Sequence, residues 1–293
     1  MRRSIFLLGA ILFAVLLILV LLRFLLAAAF PSPVVAYMTL ESGLPTVIVH
    51  DLHHNLKKRL DFEFFTEPSF SPDGARLALT SFLRFGSDIV TYDLSSGITL
   101  KLTDSVAIAE TPAWSPDGEW IAFASNRKGD NNIYIIRPDS SGRQRVTAHK
   151  AADRQPAWSP DSETIAFTSN RGGGWDLFTI DLPSGETRQL TRHPSPDTSP
   201  DWSPDGRHIV FASRRDGASA IYLLELETLT VTPLVVETRY DSLPKWTPDG
   251  RAVTFARSVD GVSQIMRLEL ETGQLSVMDL GEANADSLSW WRR

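Results

Sequence analysis

The sequence predicts an all-β domain, a six-bladed β-propeller of four-stranded antiparallel blades whose ring is closed by N- and C-terminal strands, preceded by one transmembrane helix. Three observations point there. A motif returns every 44 residues, each period divides into four short strand-like segments bounded by turn residues, and the chain opens on a long apolar run.

The apolar run comes first. After Met1-Arg2-Arg3-Ser4, the segment from Ile5 to Leu22 holds nothing more polar than Gly9. As a helix its eighteen residues span about 27 Å, close to the hydrocarbon thickness of a bilayer. Arg2 and Arg3 keep the N-terminus in the cytoplasm under the positive-inside bias, which sends everything after Arg23 across the membrane. Ala27-Ala28-Ala29 would suit a signal-peptide cleavage site, and the arginine pair a twin-arginine export signal. The run exceeds the usual signal-peptide length, and two arginines are a weak signal. All of these readings lead to the same compartment. Residues 1–30 are expected to be a signal anchor and residues 31–293 the propeller.

The repeat follows. Pro68-Ser69-Phe70-Ser71-Pro72-Asp73-Gly74 returns as Pro112-Ala113-Trp114-Ser115-Pro116-Asp117-Gly118 and as Pro156-Ala157-Trp158-Ser159-Pro160-Asp161-Ser162. Pro200 to Gly206 and Pro244 to Gly250 continue it without a slip, and Leu288-Ser289-Trp290 begins a sixth copy. In residues 112–155 the strand segments are Ala113-Trp114, Trp120 to Ser125, Asn132 to Ile136 and Arg143 to Thr147. Ser-Pro-Asp-Gly joins the first two. Its Pro presets the first central position of a tight turn, its Asp bonds its own backbone, and its Gly takes positive φ. Pro138 to Gly142, matched by Pro183-Ser184-Gly185, closes the third and fourth segments. Four antiparallel strands in such a period make a propeller blade.

The blade count comes from the ends. Residues 34–293 hold about 5.9 periods, so six blades fit if the termini share one. Val34 to Thr39, Thr46 to Asp51 and Lys58 to Phe62 read as the second, third and fourth strands of a unit lacking its first. Ser287 to Trp291 supplies the missing strand, leaving no unpaired edge at the seam.

The unit Pro-x-Trp-Ser-Pro-Asp-Gly-x-x-Ile-Ala-Phe-x-Ser-Asn-Arg, at residues 112–127 and nearly again at 156–171, resembles the TolB-type propeller repeat, a relative of WD-repeat blades. The resemblance covers about residues 34–293 and implies a fold rather than a reaction, because the repeat occurs in periplasmic Tol-system proteins and in propeller domains of peptidases and lyases. It also implies that the family's namesake carries an α/β domain before its ring, in the place where this sequence has its apolar run. A membrane-anchored relative without that domain is the expectation.

By analogy with WD-repeat blades, the Pro-x-Trp strand is innermost. Trp114, Trp158, Trp202, Trp246 and Trp290, with Phe70, then occupy equivalent places between blades as core. A second set shares registers at one end of the blades. Arg127, Arg171 and Arg215 fall between strands two and three, and Asp153, Asp197 and Asp241 fall just before innermost strands. The units carrying the arginine end with the aspartate, whereas those with Leu83 and Val259 instead have Ala109 and Ala285. Contacts within each unit, such as Arg171 with Asp197, are the expectation. The set either fastens that face as ion pairs or offers a charged rim to a partner. Trp175, after three glycines, is the one aromatic expected in an exposed loop and the best single contact residue.

Composition narrows the function. Hydrophobic residues at 43% and charged ones at 22% place the chain among globular domains, and the absence of cysteine removes disulfides, thiolate metal sites and cysteine nucleophiles. Beyond the anchor, 26 basic residues face 35 acidic ones, which argues against a nucleic-acid partner. His53-His54 point to opposite faces if they lie on a strand, and His149 and His193 are repeat equivalents in surface loops, so no metal site is expected. No Gly-x-Ser-x-Gly elbow and no phosphate-binding loop occur. The expectation is a non-enzymatic, monomeric binding scaffold without cofactor, single-pass in the bacterial cytoplasmic membrane, presenting a periplasmic propeller face to an envelope protein or polymer. The alternative is an envelope carbohydrate-active or hydrolytic enzyme with its site in the channel.

Overall fold

Each Ser-Pro-Asp-Gly segment folds on its own side chains. Ser115 Oγ accepts the amide N–H of Trp120 at 2.9 Å, Asp117 Oδ1 accepts that of Glu119 at 3.0 Å, and Gly118, at φ 76°, donates its N–H to the Ser115 carbonyl at 2.9 Å. The same hydroxyl bond recurs at Ser71, Ser159, Ser203 and Thr247. Where the third copy lacks glycine, Ser162 still takes φ 63°, and its Oγ accepts the Asp117 N–H of the preceding blade at 3.1 Å. The turn fixes the register of the hairpin that follows it.

The computed structural model describes residues 33–41, 44–60, 65–83, 85–104, 107–235, 240–281 and 284–291. The expected anchor, residues 1–30, lies outside them. Among the described residues no helix is long and apolar enough to cross a membrane.

The chain enters on β1 (Val34–Glu41), β2 (Leu44–Asp51) and β3 (Leu56–Arg59). The first blade follows as β4 (Phe65–Phe70), β5 (Arg76–Leu83), β6 (Gly86–Asp93) and β7 (Thr99–Lys101). The second is β8 (Ala109–Trp114), β9 (Ile121–Lys128), β10 (Asp130–Ile136) and β11 (Gln144–Arg145). The third is β12 (Asp153–Trp158), β13 (Thr164–Ser169), β14 (Asp176–Asp181) and β15 (Thr187–Gln189), and the fourth β16 (Asp197–Trp202), β17 (His208–Ser213), β18 (Ala220–Glu225) and β19 (Val231–Pro233). The fifth is β20 (Tyr240–Trp246), β21 (Ala252–Val259), β22 (Val262–Glu269) and β23 (Leu275–Val277). β24 (Asp286–Trp290) then pairs with β1, so the sixth sheet runs β24-β1-β2-β3. Six antiparallel four-stranded sheets result, closed three strands plus one.

The seam is held from both sides. Trp291 donates its backbone N–H to Val34 O at 3.0 Å and its indole N–H to Pro72 O of the first blade at 2.9 Å. Neighbouring innermost strands β4, β8, β12, β16, β20 and β24 touch in sequence round the ring. The core lies between blades. Ala122 and Ile133 of the second blade pack with Trp158, Phe167 and Phe178 of the third. The five tryptophans and Phe70 are all buried there. Trp158 and Trp202 also donate their indole N–H to the carbonyls of Ala113 and Ala157 in the preceding blade.

The innermost strands begin earlier than the sequence pattern shows, β8 at Ala109 rather than Ala113. A bulge hides them. Glu67, Thr111, Gln155, Ser199, Leu243 and Ser287, spaced 44 apart, take φ of 54°, 56°, 54°, 54°, 52° and 48°. In five blades a proline follows, and the ladder register shifts there. A left-handed residue before a proline reads as loop, yet the proline's missing N–H costs nothing on a strand edge facing the channel. The expected segment from Lys58 to Phe62 is β3, shifted to Leu56–Arg59, with Phe62 outside the described residues.

Candidate functional site

Two ends of the ring differ. The Ser-Pro-Asp-Gly turns crowd one face. The turns between second and third strands and the blade-to-blade connections make the other, here called the rim. All the candidate charged residues belong to the rim, but not in the pairs expected.

Arg171 leaves β13 two residues after Ser169, the cross-strand partner of Asp153, so the aspartate within its reach opens its own blade. Its Nη2 donates to both Asp153 oxygens at 2.9 and 2.8 Å, its Nε donates to Ser169 Oγ at 3.0 Å, and its guanidinium lies 5.1 Å over both Phe167 and Phe178. Arg215 repeats this on Asp197, 2.9 Å to each oxygen, over Phe211 and Tyr222. The expected contact of Arg171 with Asp197 is therefore replaced by one with Asp153. Asp197 opens the next blade and is taken by that blade's own arginine.

The exceptions follow from the same geometry. Arg127 has Ala109 where its aspartate would be, so it reaches Asp104 at 3.3 and 3.4 Å, an exposed carboxylate shared with Arg143 at 3.6 Å. Asp241 has Val259 at the arginine register and instead pairs with Arg257, its facing residue on β21, at 2.7 and 2.8 Å. Asp153, Asp197 and Asp241 are all 0 % exposed. Their charge is compensated beneath the surface.

Trp175 is half-buried rather than exposed. Arg154 covers its ring at 5.3 Å, and its carbonyl accepts the Asp197 N–H at 2.8 Å. The side chains the sequence reading missed lie at the blades without the loop arginine. There β5–β6 and β21–β22 stay paired out to Leu83↔Gly86 and Val259↔Val262 and turn over two residues. In the third and fourth blades pairing ends at Ser169↔Asp176 and Ser213↔Ala220. Their longer loops fold down to deliver the arginine. Leu83 and Val259, the breaks in the arginine register, were the available signal.

The channel holds a cavity of about 430 Å³ lined by the innermost strands of all six blades at their Ser-Pro end. Its wall is a repeat of the bulge. Glu67 Oε2 accepts the Thr111 N–H at 2.8 Å and the Thr80 hydroxyl at 2.8 Å, and Gln155 Oε1 accepts the Ser199 N–H at 3.0 Å and the Thr168 hydroxyl at 3.2 Å. The long residues at this register thus tie one blade to the next. The carboxylates lining the cavity are Glu67 and Asp201, three blades apart and so on opposite walls. Asp201 pairs with Lys245 at 3.3 Å and accepts the Trp246 N–H at 2.9 Å. Burial pushes the Glu67 carboxyl above its ordinary range despite these bonds, and Glu110 and Asp286 nearby add to the rise. Burial raises Asp286 as well.

The histidines do not converge. His53 and His54 occupy the turn after β2, not a strand, and His54 Nδ1 lies 2.8 Å from Asp51. Among the described residues no three histidine or carboxylate groups could jointly hold a metal ion.

The family model for the TolB beta propeller domain matches residues 29–155 and 139–290. Among solved structures the chain is similar to TolB from Acinetobacter baumannii, at 21% identity and a TM-score of 0.76, over 89% of this chain and 67% of that one. It is similar to a putative TolB from Agrobacterium tumefaciens at 20% identity and a TM-score of 0.70, over 89% of this chain and 99% of that one. A puromycin-hydrolyzing peptidase from Mycobacterium tuberculosis aligns at 16% identity and a TM-score of 0.61, over 79% of this chain but 41% of that one. At these identities the likeness is one of fold. No curated protein matches the sequence.

Proposed function

We propose that this chain, which belongs to the TolB β-propeller family, is held in the bacterial cytoplasmic membrane by Ile5 to Leu22 and presents its ring on the extracytoplasmic side as a scaffold for an envelope protein or polymer. The observation that carries this reading is the direct succession of two parts. A bilayer-length apolar segment ends at Leu22, and the TolB-type match begins at residue 29. The rim is the partner-binding face. Arg127, Arg171, Arg215, Asp153, Asp197, Asp241 and Trp175 act there mainly as its framework, since their charges are largely matched within the blades.

The absence of cysteine makes the topology directly testable. A single Glu186→Cys variant, at an exposed turn, should react with a membrane-impermeant maleimide once the outer envelope is opened and before the cytoplasmic membrane is lysed. The protein should also stay with membranes washed in alkaline carbonate. Labelling only after lysis would overturn the proposed orientation. Photo-crosslinking from the rim in those membranes should capture a partner, and recovery of the bait alone would count against a scaffold.

A further inference from the structure

The rim is divided across its diameter. Among the described residues, three consecutive blades carry exposed apolar side chains there, beside the exposed Asp260. The fifth blade exposes Tyr240 (63 %) and Val262, the sheet of β1 exposes Leu40, and the first blade exposes Phe82, Leu83 and Phe85 (85 %) at the end of its long hairpin. Such a grouping is uncommon on a surface with no partner.

On the other three blades the rim is cationic. Lys128, Lys150, Arg154, Arg192 and Arg214 are exposed, and among the described residues none has a carboxylate within ion-pair distance. The carboxylates of the same loops are largely engaged. Asp153 and Asp197 are buried under arginines, Asp104 sits between Arg127 and Arg143, and Asp216 accepts the Tyr222 hydroxyl at 2.6 Å, leaving Asp130. In a ring with an acidic surplus, this positive arc runs against the average and creates a local attractive field for anions.

The chain's entry point decides between occupants. Pro33 O accepts the Leu52 N–H at 3.0 Å, in the turn after β2, so the described chain begins at the Ser-Pro face, opposite the rim. Given the membrane topology proposed above, on which this step rests, the rim points away from the bilayer that holds the tether.

We propose that the rim binds an acidic protein segment carrying aliphatic or aromatic side chains. The apolar groups seat on Phe82, Leu83 and Tyr240, and the carboxylates face Lys128, Lys150 and Arg214. Apolar contact supplies affinity, and the cationic arc supplies orientation and rate of encounter.

The test uses the full chain in detergent, where binding is read independently of membrane topology. The probe is a labelled synthetic peptide alternating glutamate with leucine and tryptophan. Polyglutamate, the same peptide with lysine for glutamate, and phosphatidylglycerol vesicles serve as comparisons. The alternating peptide should bind best. Phe82→Ser with Tyr240→Ser should weaken it roughly tenfold at any salt concentration. Lys128→Glu with Lys150→Glu and Arg214→Glu should weaken it at low salt and flatten its salt dependence. Both variants should keep the parent Tm, because these side chains are exposed. Equal binding of polyglutamate or of the lysine peptide would overturn the proposal. So would binding of vesicles without the peptide, self-association through the rim, or no binding at all. A failure here with correct maleimide topology would leave the membrane scaffold standing and remove only this partner chemistry.

Discussion

Asp241 and Arg257 face each other across β20 and β21, with the carboxylate 0 % and the guanidinium side chain 4 % exposed. In the third and fourth blades the same aspartate register is answered by an arginine from the loop beyond the strand. Two different positions thus converge on one requirement. An aspartate opening an innermost strand is buried, and a buried carboxylate needs a hydrogen-bonded cation.

The pairing is open to a double-mutant cycle. Arg171→Ala should cost about 3 kcal/mol, because it strands the buried Asp153 rather than merely removing a surface charge. Its effect should couple to Asp153→Ala by about 1–3 kcal/mol and add simply to that of Asp197→Ala. Chemical denaturation of the four variants in each cycle measures both. Strong coupling to Asp197 would contradict the geometry.

The ring closure predicts an asymmetry between two equivalent glycines. A methyl group on Gly74 would lie 2.4 Å from the Trp291 indole, whereas on Gly118 its nearest neighbour is Pro72 at 3.7 Å. Both take positive φ, at 68° and 76°. Gly118→Ala should therefore cost about 1–2 kcal/mol, the expense of a left-handed alanine. Gly74→Ala should cost more, since it also displaces the tryptophan that bonds both Val34 and Pro72. Comparable Tm losses would show that Trp291 contributes little to the seam.

Trp158→Ala should cost about 3–5 kcal/mol. It removes a side chain packed between two blades and its indole bond to Ala113 O. An unchanged midpoint on thermal unfolding would refute the packing role.

Much of this was legible in the sequence because the repeat is physically redundant. A turn that needs Pro and Asp at fixed offsets writes itself five times, four of them with Gly, and Trp114 to Trp290 mark the innermost strand at each return. What escaped depends on three-dimensional neighbours. Which aspartate Arg171 meets is set by cross-strand register, and Asp197, the one that closes the same repeat unit in sequence, belongs to the next sheet. Trp175, expected to stand exposed in its loop, is instead half-buried with Arg154 of β12 over its ring, an approach that no local pattern encodes. The apolar rim was half visible, since Leu83 and Val259 interrupt the arginine register, but an apolar residue at a hairpin end reads as core until burial is known.

Glu67 and Gln155 occupy the same bulge register and make the same two bonds, to the next blade's amide and to a threonine hydroxyl of their own blade. Glu67→Gln should therefore preserve the contacts while removing a buried charge. The sign of the pH effect follows from the raised carboxyl. The folded state holds its proton to higher pH than the unfolded state does, so this group's contribution favours folding below the ordinary glutamate range and is lost as pH rises through the raised value. The charges of Glu110 and Asp286 push the Glu67 carboxyl in the same direction as its burial, and burial raises the Asp286 carboxyl as well. Glu67→Gln should raise Tm at neutral pH and leave it unchanged in acid. The fall in Tm with rising pH should be shallower than in the parent. A loss of stability at neutral pH would mean that the ionised carboxylate is needed by the ring, and that the glutamine seen at the third blade is not its equivalent.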